Sequence, residues 1–259
     1  MDLGLEGKWA IICGSSQGLG YACADALSRE GAHVVVNGRD PAVLNEAVSN
    51  LKSTGTAEVV GVVGDLNTPE GRAALLAATP MPDIVVTNNA GPSPAIFEDV
   101  TPEQWHAVLE ANMLSAISLV QAVLPGMRSR YFGRIINITS AMVKSPNALM
   151  TPSIAARTGL TGVMKAISRD VVADNVTINN LLPERIDTGR QRQMADLAVA
   201  IKGITLEEAY AEIIATIPAG RLGRPEEVGD ACAFLCSAQA GYITGQNLCL
   251  DGGAYEGLL

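Results

Sequence analysis

Short β-branched runs alternate with longer amphipathic runs almost from end to end of this 259-residue chain, and that alternation restricts its fold most. Extended segments are predicted at 9–13, 33–37, 58–63, 83–87, 134–139, 176–182 and 247–250. Helices are predicted at 18–30, 41–52, 69–78, from an N-cap at Thr101 to about 124, and at 153–172 and 225–237. Strands separated by helices need crossover connections, and right-handed crossovers build a parallel sheet covered on both faces. The expected fold is α/β: a doubly wound parallel sheet, Rossmann-like, forming one domain over residues 1–259. Residues 184–220 break the alternation and read as a loop carrying two helices, a substrate lid at the carboxyl end of the sixth strand.

Composition removes several function classes. The formal charge of −9 argues against a nucleic-acid partner, which would require a basic surface. Two histidines and five scattered cysteines supply no metal-ligand set; Cys232 and Cys236, four apart in a helix, read as core thiols. An odd cysteine count without a disulfide framework suits a reducing cytoplasm. Residues 1–8 are acidic and glycine-bearing rather than basic then apolar, so no export signal is expected. The longest apolar stretches read as too interrupted to span a bilayer, so no membrane partner is expected either.

The first strand runs into Gly14-Ser15-Ser16-Gln17-Gly18-Leu19-Gly20 and then a helix. In that context glycines allow a tight turn and a close backbone approach, while the helix head offers free N–H groups to a pyrophosphate. The spacing is G-x3-G-x-G, a weak motif alone, and it gains weight from the ends of the next three strands. The second strand ends at Asn37-Gly38-Arg39. An acid there would hold the ribose 2′-hydroxyl of NAD; none is present, and Arg39 can pair with a 2′-phosphate, which favours NADP. Asp65 and Leu66 come after the third strand, placed to meet adenine, and Asn88-Asn89-Ala90-Gly91 ends the fourth beside the adenosine ribose.

These motifs, with Asn112 in the long helix, Ser140 after the fifth strand, 223–228, 243–246 and 251–253, resemble the short-chain dehydrogenase/reductase family. The resemblance covers nearly the whole chain and is nearest to the 3-oxoacyl-carrier-protein-reductase-like branch. It implies an NADP-dependent oxidoreductase acting on a carbonyl or alcohol, assembled as a homo-oligomer, with a tetramer expected. Pro183 and Ile186 would then run beside the nicotinamide. The family's catalytic set is Asn, Ser, Tyr and Lys, and Asn112 and Ser140 match it. Where the Tyr and Lys are expected stand Ser153 and Arg157. A serine hydroxyl is too weak an acid to replace a tuned phenol, and an arginine stays protonated, so it cannot relay a proton.

Lys144, on the loop after Ser140, is the candidate replacement donor, and Tyr255 a second. Arg157 is also expected to contact the cofactor. Glu184 replaces the glycine of a Pro-Gly turn that the resemblance places beside the nicotinamide. One expectation is a compensating Arg157–Glu184 ion pair or a ligand group shared by both; the other is that Glu184 faces solvent and Arg157 contacts only backbone carbonyls or cofactor. Aliphatic residues of the lid (Leu197, Ile201, Ile204, Leu206, Ile213, Ile214) suggest an apolar pocket. A non-redox lyase or isomerase, or a dinucleotide-binding protein without catalysis, remains open beside the oxidoreductase.

Overall fold

The computed structural model describes residues 2–54 and 57–258. Its first half runs β1 (Trp9–Ile12), α1 (Gly18–Arg29), β2 (His33–Gly38), α2 (Pro41–Thr54), β3 (Val59–Val63), α3 (Pro69–Ala78) and β4 (Ile84–Thr87). The second continues with α4 (Pro102–Leu109), α5 (Ser115–Ser129), β5 (Gly133–Ile138), α6 (Thr151–Val171) and β6 (Val176–Pro183). The lid helices α7 (Gly189–Lys202) and α8 (Leu206–Ala215) come next, then α9 (Pro225–Cys236) and β7 (Asn247–Leu250). All seven strands pair in parallel in the order β3-β2-β1-β4-β5-β6-β7.

Successive residues of a strand face opposite sides, so each central strand feeds two cores. Ala10, Ile12, Val34, Val36, Ile84 and Val86 pack under α1, α2 and α9 with Leu27, Leu44, Leu51, Val228 and Cys232. Ile11, Val35, Val85, Ile135 and Ile178 pack under α3, α5 and α6 with Leu75, Leu119, Met127, Leu160 and Met164. The continuous apolar runs read from the sequence are therefore strands buried on both faces.

One polar row crosses this interior. Thr87 Oγ1 donates to Asn137 Oδ1 (2.7 Å), Asn137 Nδ2 to Asn180 Oδ1 (2.9 Å), and Asn180 Nδ2 to Asn247 Oδ1 (2.8 Å). The four residues are in register across β4, β5, β6 and β7. A one-residue slip of any strand would leave buried polar groups of the row unpaired, so the row pins the register and levels the ends of the strands that carry the candidate site.

The long helix starts where expected: Thr101 Oγ1 accepts from Gln104 N (3.3 Å), and Gln104 Oε1 accepts from Thr101 N (2.9 Å). It runs further than expected, to Ser129, and a π-turn at Glu110–Leu114 interrupts it. Pro102–Ser129 is also long and apolar enough to cross a bilayer by length and composition, with mean hydropathy 1.6, which corrects the sequence expectation. Its middle carries buried Asn112 and Ser115, and its buried apolar residues pack on the sheet, which is the pattern of a core helix. Of the lid's aliphatic residues, Ile201 is 74% exposed and Leu197 39%, so these two face solvent rather than a pocket.

Candidate active site

The strand ends β1, β2, β4, β5 and β6 meet at one rim, and the candidate residues collect there. At the turn after β1, Gly20 packs so tightly that an added Cβ would collide with the Gly14 carbonyl. Side-chain amides hold this turn, one of them at a position that in the sequence stands out only for lacking an acid. Asn37 Nδ2 donates to Val62 O and Gly64 O (both 3.1 Å), and Asn37 Oδ1 accepts from Gly14 N (3.4 Å). Asn88 Nδ2 donates to Gly14 O at 3.0 Å. A polar residue ending a β-branched run was the available signal for Asn37. Gln17 precedes α1 without a side-chain cap, so the first-turn N–H groups stay open to an anion beside Ser16, Gly18 and Leu19.

At the tip of β2, an added Cβ on Gly38 would lie 2.8 Å from Ser16 Cβ, so the turn excludes a side chain from this position. Arg39 is exposed and has no hydrogen-bond or ion-pair partner among the described residues. Asp65 Oδ1 caps its own turn by accepting from Asn67 N (3.0 Å), and Leu66 is buried. Asn89 Nδ2 ties the β4 loop to Asn67 Oδ1 and Ala111 O (both 2.9 Å), leaving Ala90 exposed and Gly91 half-buried. Across the rim, Pro183 ends β6, and Ile186, buried, pairs with Gly223. These features form a cradle for a dinucleotide: a close-approach turn, an open helix head and an exposed cation at the β2 tip.

Asn112 sits in the π-turn and is buried there; π-turns inside α-helices are frequent at functional sites. Its Nδ2 donates to Ala90 O (3.3 Å), and its Oδ1 accepts from Arg157 Nη2 (2.8 Å). Arg157 also donates from Nε to Ser153 Oγ (3.2 Å), from Nη1 to Ile138 O (2.9 Å) and Thr139 O (3.1 Å), and from Nη2 to Asn89 O (3.5 Å). A guanidinium has five N–H bonds, and all five are engaged. Arg157 is thus a brace joining α6, the π-turn, the end of β5 and the β4 loop; only its long contact to Asn89 O is weak enough for a ligand oxygen to replace. Burial, then the charge of Arg190, lowers its pKa to about 10. Ser153 is buried and accepts from Arg157, so its own proton is free to donate. Ser140 Oγ accepts from Met142 N (3.2 Å), which likewise leaves its proton for a ligand.

The expected Arg157–Glu184 ion pair does not form. Arg157 meets only neutral acceptors, while Glu184 pairs with its neighbour Arg185 at 3.6 Å. Arg185 adopts φ 52°, a left-handed conformation costly for a side-chain-bearing residue, and both members of the pair line a cavity that includes no residue of α6. That cavity, about 290 Å³ at the root of the lid, is lined by Glu184, Arg185, Ile186, Ile217, Arg221 and Asp251 among others, so its wall is mixed rather than purely apolar. Burial raises the Glu184 pKa; Arg185 opposes this and Asp251 adds to it. Lys144 Nζ lies 4.9 Å over the Tyr255 ring, so the two alternative proton donors contact each other. Cys232 and Cys236 are buried thiols in the core under α9.

Sheet order, cradle and catalytic rim together define a nicotinamide-dinucleotide-binding α/β protein of the doubly wound class. The family described as enoyl-(acyl carrier protein) reductase matches residues 14–255, and the chain belongs to it, within the short-chain dehydrogenases/reductases. It is 33% identical to the 3-oxoacyl-[acyl-carrier-protein] reductase FabG of Vibrio cholerae, over 98% of this chain and 99% of that protein. L-sorbose reductase from Gluconobacter frateurii, solved with NADPH and L-sorbose, superposes with a TM-score of 0.94 at 30% identity, covering 100% of both chains. YwfH, an NADPH-dependent reductase of bacilysin biosynthesis, superposes with a TM-score of 0.91 at 28% identity over 98% of this chain and 100% of that one.

Proposed function

We propose that this chain is an NADP-dependent oxidoreductase acting on a small carbonyl or alcohol. The observation that carries the cofactor choice is the β2 tip, where Gly38 admits no side chain beneath Ser16 and Arg39 has no partner among the described residues. An acid for a free ribose cannot be seated there, whereas a 2′-phosphate meets an unengaged guanidinium. Sorbose reductase was solved with NADPH, which supports the same reading. Gly14, Ser16, Gln17, Gly18 and Leu19 would hold the pyrophosphate, Asp65 and Leu66 the adenine, Asn89, Ala90 and Gly91 the adenosine ribose, and Pro183 and Ile186 the nicotinamide half. When bound, the nicotinamide supplies or takes the hydride. Ser140 would donate its free proton to the substrate oxygen and stabilise developing negative charge, and Ser153 would add a second donor. Calorimetric titration is expected to give tighter binding of NADPH than NADH. An unchanged preference in Arg39→Ala would overturn the assignment.

The second reading, dinucleotide binding without hydride transfer, is favoured by one observation: Arg157 spends all five donors on the protein. Lys144 remains the proposed proton source for a redox reaction. The double variant Ser153→Tyr, Arg157→Lys separates the two readings. A gain of ketone reduction by the variant over the native protein supports the oxidoreductase; unchanged NADPH binding without any gain points to the second reading if the native protein is also inactive, and to a different proton donor such as Lys144 if the native protein itself reduces ketones.

We further propose a homotetramer in a reducing cytoplasm, where five free cysteines stay reduced. Of the small residues on α6, Ala156 is buried and Gly159 faces Met113, so these serve packing within the chain. Ala155, Gly162 and Val163 are exposed, as is Leu114 on the neighbouring helix, and these suit pairing through the two long helices. Light scattering at micromolar concentration decides it; a monomeric mass would refute the assembly.

A further inference from the structure

Two guanidinium groups flank the loop after β4, and neither has an acid. Arg157 reaches it from α6, donating to Asn89 O at 3.5 Å, with Nη2 only 3.6 Å from where a side chain on Gly91 would begin. Arg190, in the first turn of the lid helix α7, also reaches it and donates from Nη2 to Pro92 O at 2.6 Å. Neither arginine joins an ion pair among the described residues, although ten such pairs occur elsewhere. Arg157 is 9% exposed, Arg190 is half-buried, and the charge of Arg190 adds to burial in lowering the Arg157 pKa. Arg157 has no donor to spare. Arg190 has one hydrogen bond among the described residues, so most of its donors are not engaged by the protein. Two unpaired, partly desolvated like charges cost free energy without a counter-charge, and a protein with nine excess acids has not supplied one here.

We infer that Arg190 is a ligand-binding residue: as the lid seats on the β4 loop, it completes a subsite for an anionic oxygen beside the catalytic centre. The inference rests on the dinucleotide reading and deepens it. The anion has two chemical sources. A phosphate of the dinucleotide's nicotinamide half is one, and a carboxylate carried by the substrate is the other. In both, Arg190 contributes a charge-assisted contact beyond the one weak donor, now on Asn89 O, that Arg157 could turn to a ligand. The lid then closes over a charged group rather than an apolar one, consistent with Leu197 and Ile201 facing solvent.

The test uses the full chain and Arg190→Gln, with Arg190→Lys as the charge-keeping control and Arg39→Ala as the control for the far end of the cofactor. Probes are NADPH, reduced nicotinamide mononucleotide, acetoacetate and its neutral methyl ester, read by calorimetry and by melting temperature. A phosphate source predicts that Arg190→Gln weakens NADPH and the mononucleotide alike by about tenfold, the size of one charged hydrogen bond. Arg39→Ala then weakens NADPH alone. A carboxylate source predicts unchanged dinucleotide binding, with acetoacetate stabilisation lost in Arg190→Gln and no response to the ester in either protein. Arg190→Lys retains part of the effect in both cases. The ligand-free Arg190→Gln protein melts no lower than the native one, because a repulsion is removed with the hydrogen bond; this separates a binding role from a structural one. Unchanged affinity for all four probes overturns the inference. Failure of the native protein to bind NADPH overturns the dinucleotide reading, and the acetoacetate arm then decides the subsite alone.

Discussion

Glu184 and Arg157 show how differently a charge can be buried in one site. Arg157 is satisfied by five neutral acceptors, whereas Glu184 has a single partner at 3.6 Å and shares its cavity with Asp251. Because burial raises the Glu184 pKa, the folded protein holds a proton there more tightly than the unfolded chain does. Stability at this position therefore falls as pH rises through the ordinary carboxylate range toward the raised value, and at neutral pH the charged form is a cost. Glu184→Gln is expected to melt above the native protein at pH 7, and the gap should close as acid protonates the native carboxyl. A gap independent of pH would show that packing, not charge, sets the difference. The glycine turn was legible in the sequence because it is local: strand, turn and helix head lie within a dozen positions. The ion pair expected between Arg157 and Glu184 was misplaced because it depends on the directions in which two distant backbones release their side chains. Arg190 was missed for the same reason, since a lid arginine acquires meaning only once α7 is seated against the β4 loop.

Elements were legible where periodicity is decisive. Helix starts at Pro69, Thr101 and Pro225 and the doubly buried strands are written in caps, prolines and β-branched runs. The π-turn was not, because a helix with one extra residue per turn has no propensity signature; a buried Asn112 amid apolar residues was the only trace. The Thr87–Asn137–Asn180–Asn247 row was also invisible, since asparagine is a poor strand former and its place becomes clear only when four strands stand in register. Its energetic weight can be measured. Asn137 is fully buried at the centre of the row, and Asn137→Leu leaves Thr87 without its acceptor and Asn180 without its donor. Each such loss costs about 1–3 kcal/mol, so the variant is expected to lose about 2–6 kcal/mol in denaturant unfolding. A loss under about 1 kcal/mol would mean that the row is replaceable by packing. Register also positions the candidate site: Asn89, Ser140 and Pro183 lie at or just past the ends of three of the four strands, and they share one rim only while those strands stay level.

At the scale of the whole molecule, a single sheet serves two cores that do not touch each other. Cys23, Cys232 and Cys236 lie on one side of it and Cys13 on the other, all four buried, with Cys249 half-buried near the rim. Burial pushes the Cys13 thiol up to about 12, which keeps it in the unreactive protonated form. The cysteines therefore act as clocks wound on opposite faces. A thiol reagent applied to the native protein should modify Cys249 first, and the remaining four only as fast as the chain opens to solvent. Since neither helix layer can lift without exposing the sheet that the other also covers, both faces should be labelled in one shared slow phase. Two separate phases would mean that one layer peels away alone, and would identify which half of the molecule breathes.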